Sequence, residues 1–156
     1  MKSDAVVRQQ LLFLLSRGNA HNTFEQAVAD FPMEFVNTKP KNISYSPWHL
    51  LEHIRIAQSD ILEFIRDPEY VSPKWPEGYW PAPIQVADTK KWEKTISEFK
   101  KDLRDIQELV QDKNTDLYSP IPHAPEYTIF REILLVADHN AYHIGEFGIV
   151  KQILGA

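Results

Sequence analysis

The chain has 156 residues, the size of one ordinary domain, with 43% hydrophobic and 25% charged residues, as in a folded soluble protein. A formal charge of −5 without any Lys/Arg cluster works against holding a phosphate backbone, so nucleic acid is not an expected partner. There is no cysteine, which excludes disulfides, thiolate metal ligands, iron–sulfur clusters and a cysteine nucleophile, and leaves any thiol chemistry to a thiol from outside.

The first apolar pattern runs from about Asp4 to Phe31. Val7, Leu11, Leu14 and Leu15 recur at helical spacing. Gly18-Asn19 reads as a left-handed stop and Asn22 with Glu25 as a new cap, so one broken helix or two in tandem are expected before Phe31-Pro32. The short run Leu11 to Leu15 is followed by Ser16-Arg17 with no small-residue cleavage site, and it reads as a helix face rather than a signal peptide. No run approaches the ~20 apolar residues of a membrane span. No membrane association and a cytoplasmic location are the expectations.

The second helix has Ser46 as N-cap and Pro47 in first position, and ends at Asp67-Pro68. The third starts near Asp88-Thr89, and Trp92, Ile96, Phe99, Leu103, Ile106 and Val110 step along it by three and four. The fourth runs from near Thr128 to about Leu154, before Gly155. Two proline-rich connections separate them, residues 68–87 and 112–127. In the first, Trp75, Tyr79 and Trp80 stand among prolines and are expected to be substantially buried, since large aromatics are costly to leave in water. No strand alternation of useful length appears. The pattern predicts an all-α fold, a four-helix bundle with long crossover loops, in a single domain over residues 1–156.

The histidines carry the chemistry. His139 and His143 are four apart on the last helix, and His49 and His53 repeat that spacing on the second. A rise of ~6 Å with a rotation about 40° past one turn places both rings of such a pair on one face. A lone buried histidine is more often a hydrogen-bonded core residue than a ligand. Two pairs on two helices of a bundle favour a metal site, because facing bundle helices are where such sites are built. The zincin pattern is absent, since Asn140 follows His139. Glu146, three after His143, is a candidate carboxylate ligand, a partner orienting a ligand ring, or a general base. Asp60, seven after His53, reads as a solvated residue, and Asp138 and Asn140 as polar residues of the helix face.

The segment Ser46-Pro47-Trp48-His49-Leu50-Leu51-Glu52-His53-Ile54, followed by Asp138-His139-Asn140-Ala141-Tyr142-His143-Ile144-Gly145, resembles the DinB-like superfamily. The resemblance spans nearly the whole chain. It implies a four-helix bundle holding a divalent metal, commonly zinc or nickel, with His53, His139 and His143 as ligands and His49 as an extra neighbour. Many members carry Gln where this chain has Glu146. Characterised relatives include thiol-dependent S-transferases and a thiol-dependent isomerase. The resemblance therefore implies a metal-dependent enzyme, transferase or hydrolase, acting on a small-molecule substrate through a metal-activated external low-molecular-weight thiol or water. The alternative is a non-catalytic metal-binding or stress-response protein. A homodimer is expected, since bundles of this size often pair and DinB-like proteins frequently do.

Overall fold

The apolar stripes become four long α-helices, with shorter elements between them. A computed structural model describes residues 2–17 and 20–156. Helix α1 spans Lys2–Ser16, α2 Phe24–Val28, α3 Pro47–Arg66, α4 Thr89–Gln111 and α5 Ile129–Leu154. Single 3-10 turns occupy Met33–Phe35 and Glu77–Tyr79. The expected stop at Gly18-Asn19 lies outside the described residues.

The caps explain the boundaries. Ser46 precedes α3, and its side chain accepts the His49 amide while Pro47 takes the first helical position. Asp88 accepts the Lys91 amide ahead of α4 at 2.7 Å. Thr128 accepts the Arg131 amide ahead of α5 at 3.1 Å, and Gly155 ends that helix at φ 71°, where a Cβ would be strained. The expected cap at Asn22 is off by one. Thr23 accepts the Gln26 amide at 3.2 Å, and Gln26 Oε1 accepts the Thr23 amide at 2.9 Å. Asn22 with Glu25 has the same spacing, and the reciprocal pair is closed one residue later.

Helix α1 packs on α4 and α5, and α3 packs on the same two, giving the expected bundle. One apolar cluster gathers Trp48, Phe24, Phe31, Phe99 and Phe147, with Phe24 and Phe99 stacked at 3.8 Å between centroids. A second gathers Leu11, Leu62, Ile106, Leu117, Ile133 and Val136. Each fully buried side chain of this kind contributes roughly 1.5–3 kcal/mol. A polar thread also crosses the interior. Asn140 Nδ2 donates to Gln58 Oε1 at 2.9 Å, and Gln58 Nε2 donates to the Phe99 carbonyl at 2.8 Å. It ties α5 to α3 and α3 to α4. Both polar residues are buried, so the helix face that Asn140 occupies is turned inward.

At the other side of the bundle, Arg8 reaches from α1 to the end of α4. Its guanidinium donates to the carbonyls of Val110 and Asp112 at 3.0 Å and of Thr115 at 2.7 Å. These carbonyls lie at and just beyond the α4 C-terminus, where a cation is favoured.

Two further expectations are corrected. Residues 120–128 contain a short antiparallel hairpin, β1 Pro120–Ile121 and β2 Ala124–Thr128, with Ile121 opposite Ala124. Its strands are too short, and too rich in proline, to produce readable alternation. His123 Nε2 donates from its turn to the Phe64 carbonyl at 2.8 Å, which fastens the hairpin to α3. The second correction is Trp75, which is 72% exposed rather than buried. It meets Tyr79 edge-on at 5.4 Å between centroids, and isolated exposed aromatics are ordinary. Tyr79 and Trp80 are half-buried. The loop folds tightly on itself at Gly78, where a Cβ would come within 2.7 Å of the Pro73 Cβ.

Candidate metal centre

Helices α3 and α5 bring His53, His139 and His143 together. Their ligand nitrogens all lie within 4.8 Å of one another. His53 Nε2 is 3.1 Å from His143 Nε2 and 3.2 Å from His139 Nε2. His53 and His143 are buried and His139 is half-buried.

The outward bonds fix two of the rings. His53 Nδ1 donates to the Tyr79 carbonyl at 2.8 Å. His143 Nδ1 donates to Glu146 Oε2 at 2.7 Å. With the ring proton on Nδ1, a neutral imidazole presents a bare lone pair at Nε2. Two lone pairs thus face each other at 3.1 Å, with His139 Nε2 beside them. One proton can satisfy one such contact; a divalent cation at the centroid satisfies all three. Nitrogens at ~2.0–2.1 Å from a tetrahedral zinc would lie about 3.3 Å apart, close to the 3.1 and 3.2 Å that separate His53 Nε2 from the other two. The donor set therefore fits a divalent metal, and three neutral imidazoles leave its charge intact.

Burial favours the neutral, metal-ready form. It pushes His139 down to about 4, helped by the neighbouring His143 and His53. Burial also lowers His53, against the opposing pull of the Tyr79 carbonyl.

A surrounding layer holds these rings. The Trp80 ring stacks on His53 at 4.0 Å with the planes 2° apart. The Tyr79 hydroxyl donates to Asp60 Oδ2 at 2.8 Å, which pins the residue whose carbonyl holds His53. Burial and then the Asp60 carboxylate push Tyr79 up to about 12, so it stays a donor. Asp60 is 9% exposed and not the solvated residue expected. On the α5 side, the Tyr45 hydroxyl donates to Glu146 Oε1. Both carboxylate oxygens of Glu146 are thus engaged, one by Tyr45 and one by His143. Burial, with Glu146 second, raises the Tyr45 phenol above its ordinary range.

His49 faces elsewhere. Its Nδ1 accepts from Ser46 Oγ at 2.6 Å and from the Ser46 amide at 3.4 Å, and its Nε2 donates to the Ala82 carbonyl at 3.3 Å. It closes the α3 cap and ties the helix to the 68–87 loop. The sequence reading missed Tyr45, Tyr79 and Trp80 as parts of the site. The aromatic density of the loop was the one available signal for the last two; Tyr45 carries none beyond its place before the Ser46 cap.

The model of the DinB superfamily matches residues 19–147, which includes all three histidines. No curated protein and no solved structure matches the chain.

Proposed function

Starting from the fact that this chain belongs to the DinB superfamily, we propose that it is a metal-dependent enzyme of the thiol S-transferase type acting on a small molecule. The observation that carries the metal is the convergence of three Nε2 atoms, two of them with their ring protons committed elsewhere. His53, His139 and His143 hold a zinc or nickel ion. When bound, that ion supplies the positive charge that lowers the pKa of a thiol or water at an open position.

The chain's own groups do the rest. The Tyr79 carbonyl and the Glu146 carboxylate keep the ring protons of His53 and His143 on Nδ1, which leaves Nε2 free. Tyr45 holds Glu146 in that role. Trp80 covers one face of His53 and keeps water from it. Because the chain has no cysteine, the thiol is external and no internal thiolate competes for the open position. The reading in which the protein binds metal without turnover requires that position to be filled by a fourth protein group, for which Glu146, already bonded to His143, is the candidate.

Cobalt substitution separates the two. If the position is open, adding a low-molecular-weight thiol produces a thiolate-to-cobalt charge-transfer band. A spectrum indifferent to every thiol and anion, yet altered by Glu146→Gln, would establish the closed, non-catalytic protein instead.

A further inference from the structure

The supports of His53 and of His143 meet each other. Trp80, in the 68–87 loop, lies flat on the His53 ring at 4.0 Å between centroids, and the carbonyl of its neighbour Tyr79 accepts from His53 Nδ1. Glu146 accepts from His143 Nδ1 and from the Tyr45 hydroxyl. The Tyr45 ring in turn packs on Trp80 at 5.3 Å between centroids, with 30° between the planes. The contacts run in a circuit from His53 through Trp80, Tyr45 and Glu146 to His143. Four segments contribute to it: α3, the residue before its cap, the loop and α5. One link is unfavourable. His53 Nε2 and His143 Nε2 stand 3.1 Å apart, lone pair to lone pair.

A divalent cation between those nitrogens closes the circuit, and it strengthens both grips of the loop on His53. Coordination at Nε2 draws charge from the ring, so Nδ1–H becomes a better donor to the Tyr79 carbonyl. A ring with positive character is also held more firmly by an indole face than a neutral one. What the metal adds to loop docking, loop docking adds to metal binding, because coupling between two sites is reciprocal. We propose that Trp80 and Tyr45 are positioning residues of a clasp: the metal fastens the 68–87 loop, and the docked loop sets how tightly the metal is held. The proposal rests on the site of His53, His139 and His143 described above. The loop tip is built to respond. The amides of Gly78, Tyr79 and Trp80 bond to the Lys74, Pro76 and Glu77 carbonyls within the loop. Val71 and Trp75 beside them are largely exposed, and Tyr79 and Trp80 themselves fasten the tip to α3.

The test reads hydrogen exchange at the Gly78, Tyr79 and Trp80 amides, with and without zinc, beside zinc affinity in competition with a chelator. In the parent protein zinc should slow exchange at these amides by about tenfold or more. Trp80→Leu should lower zinc affinity by about tenfold and abolish most of that slowing, and Trp80→Phe, which keeps a flat ring, should restore most of both. Trp80→Leu and Glu146→Gln break the same circuit, so the double variant should lose less affinity than the product of the two single losses. Zinc bound by the parent without any change in exchange overturns the clasp and leaves the metal site standing; a parent that binds no zinc overturns both. Unchanged affinity in Trp80→Leu, or losses that multiply in the double variant, would show that Trp80 only packs against the site.

Discussion

On α3, His49 and His53 each turn a ring nitrogen to the backbone of the 68–87 loop, His49 to Ala82 and His53 to Tyr79. On α5, His139 and His143 turn Nε2 inward, and among the described residues neither ring bonds the loop backbone. The spacing is the same in both pairs, so both rings of each pair leave one face of their helix. What differs is the neighbour. His49 has all its capacity used by Ser46 and Ala82, whereas His53 spends only Nδ1 on the loop and keeps Nε2 for the cluster. Spacing four apart thus delivers imidazoles to a face, and the partner of the second nitrogen decides between a strut and a ligand.

The sharpest way to break this comparison is to remove one histidine from each helix. Elemental analysis of purified His143→Ala should find no stoichiometric metal, and full retention would end the assignment. Glu146→Gln keeps the shape but weakens the acceptor for His143 Nδ1. Metal affinity in a competition assay should fall by about tenfold or more, and unchanged affinity would mean that the His143 ring needs no anchor. His49→Ala should leave metal stoichiometric while lowering stability by about 1–2 kcal/mol, because the Ser46 amide and the Ala82 carbonyl lose their partner. A shift in the urea midpoint at constant slope reads this; loss of metal would show that His49 belongs to the site.

Burial lowers His49 and His53 on α3 as well as His139 on α5, so acid tests members of both pairs. In the metal-free protein His139 titrates at about 4, against roughly 6.5 when unfolded. Below ~6.5 the unfolded chain binds a proton that the native ring refuses, so stability holds above that pH and declines as pH falls toward 4. His139→Ala should flatten the decline, and a profile identical to the parent would assign the acid sensitivity elsewhere. The smallest effect belongs to the loop tip. Trp75→Ala should change stability by no more than about 0.5 kcal/mol, given its exposure. A larger cost would reveal a contact that covers it.

The helices that frame the site were legible because their ends are chemically marked. Ser46-Pro47, Asp88 and Thr128 with Gly155 announce themselves locally, and the stripe of Trp92, Phe99 and Val110 repeats at the helical period. The two histidine pairs could be singled out because two helices of known period limit where side chains go, while the choice of His53 over His49 rested on the resemblance to the DinB-like superfamily. The rest depended on paths that local pattern does not encode. Which carbonyl faces His53 is set by the course of a proline-rich loop with no period. Asp60 is covered from the same loop, whose Tyr79 folds back on α3 to bond it. The hairpin owes its existence to pairing between residues whose sequence is ordinary loop, and His123, which reads as a spare histidine, serves to hold it down.

The grip of Arg8 on the end of α4 has a consequence for the order in which the chain assembles. Its three acceptors lie 102 to 107 residues further along, so during synthesis the first helix is complete long before its mooring exists. Closing so long a span costs chain entropy before any bond rewards it. Helix α1 also stands apart from the stretch matched by the family, which begins at residue 19. The guanidinium contact can therefore close only after α4 and the residues up to Thr115 exist, however early the apolar face of α1 finds its neighbours.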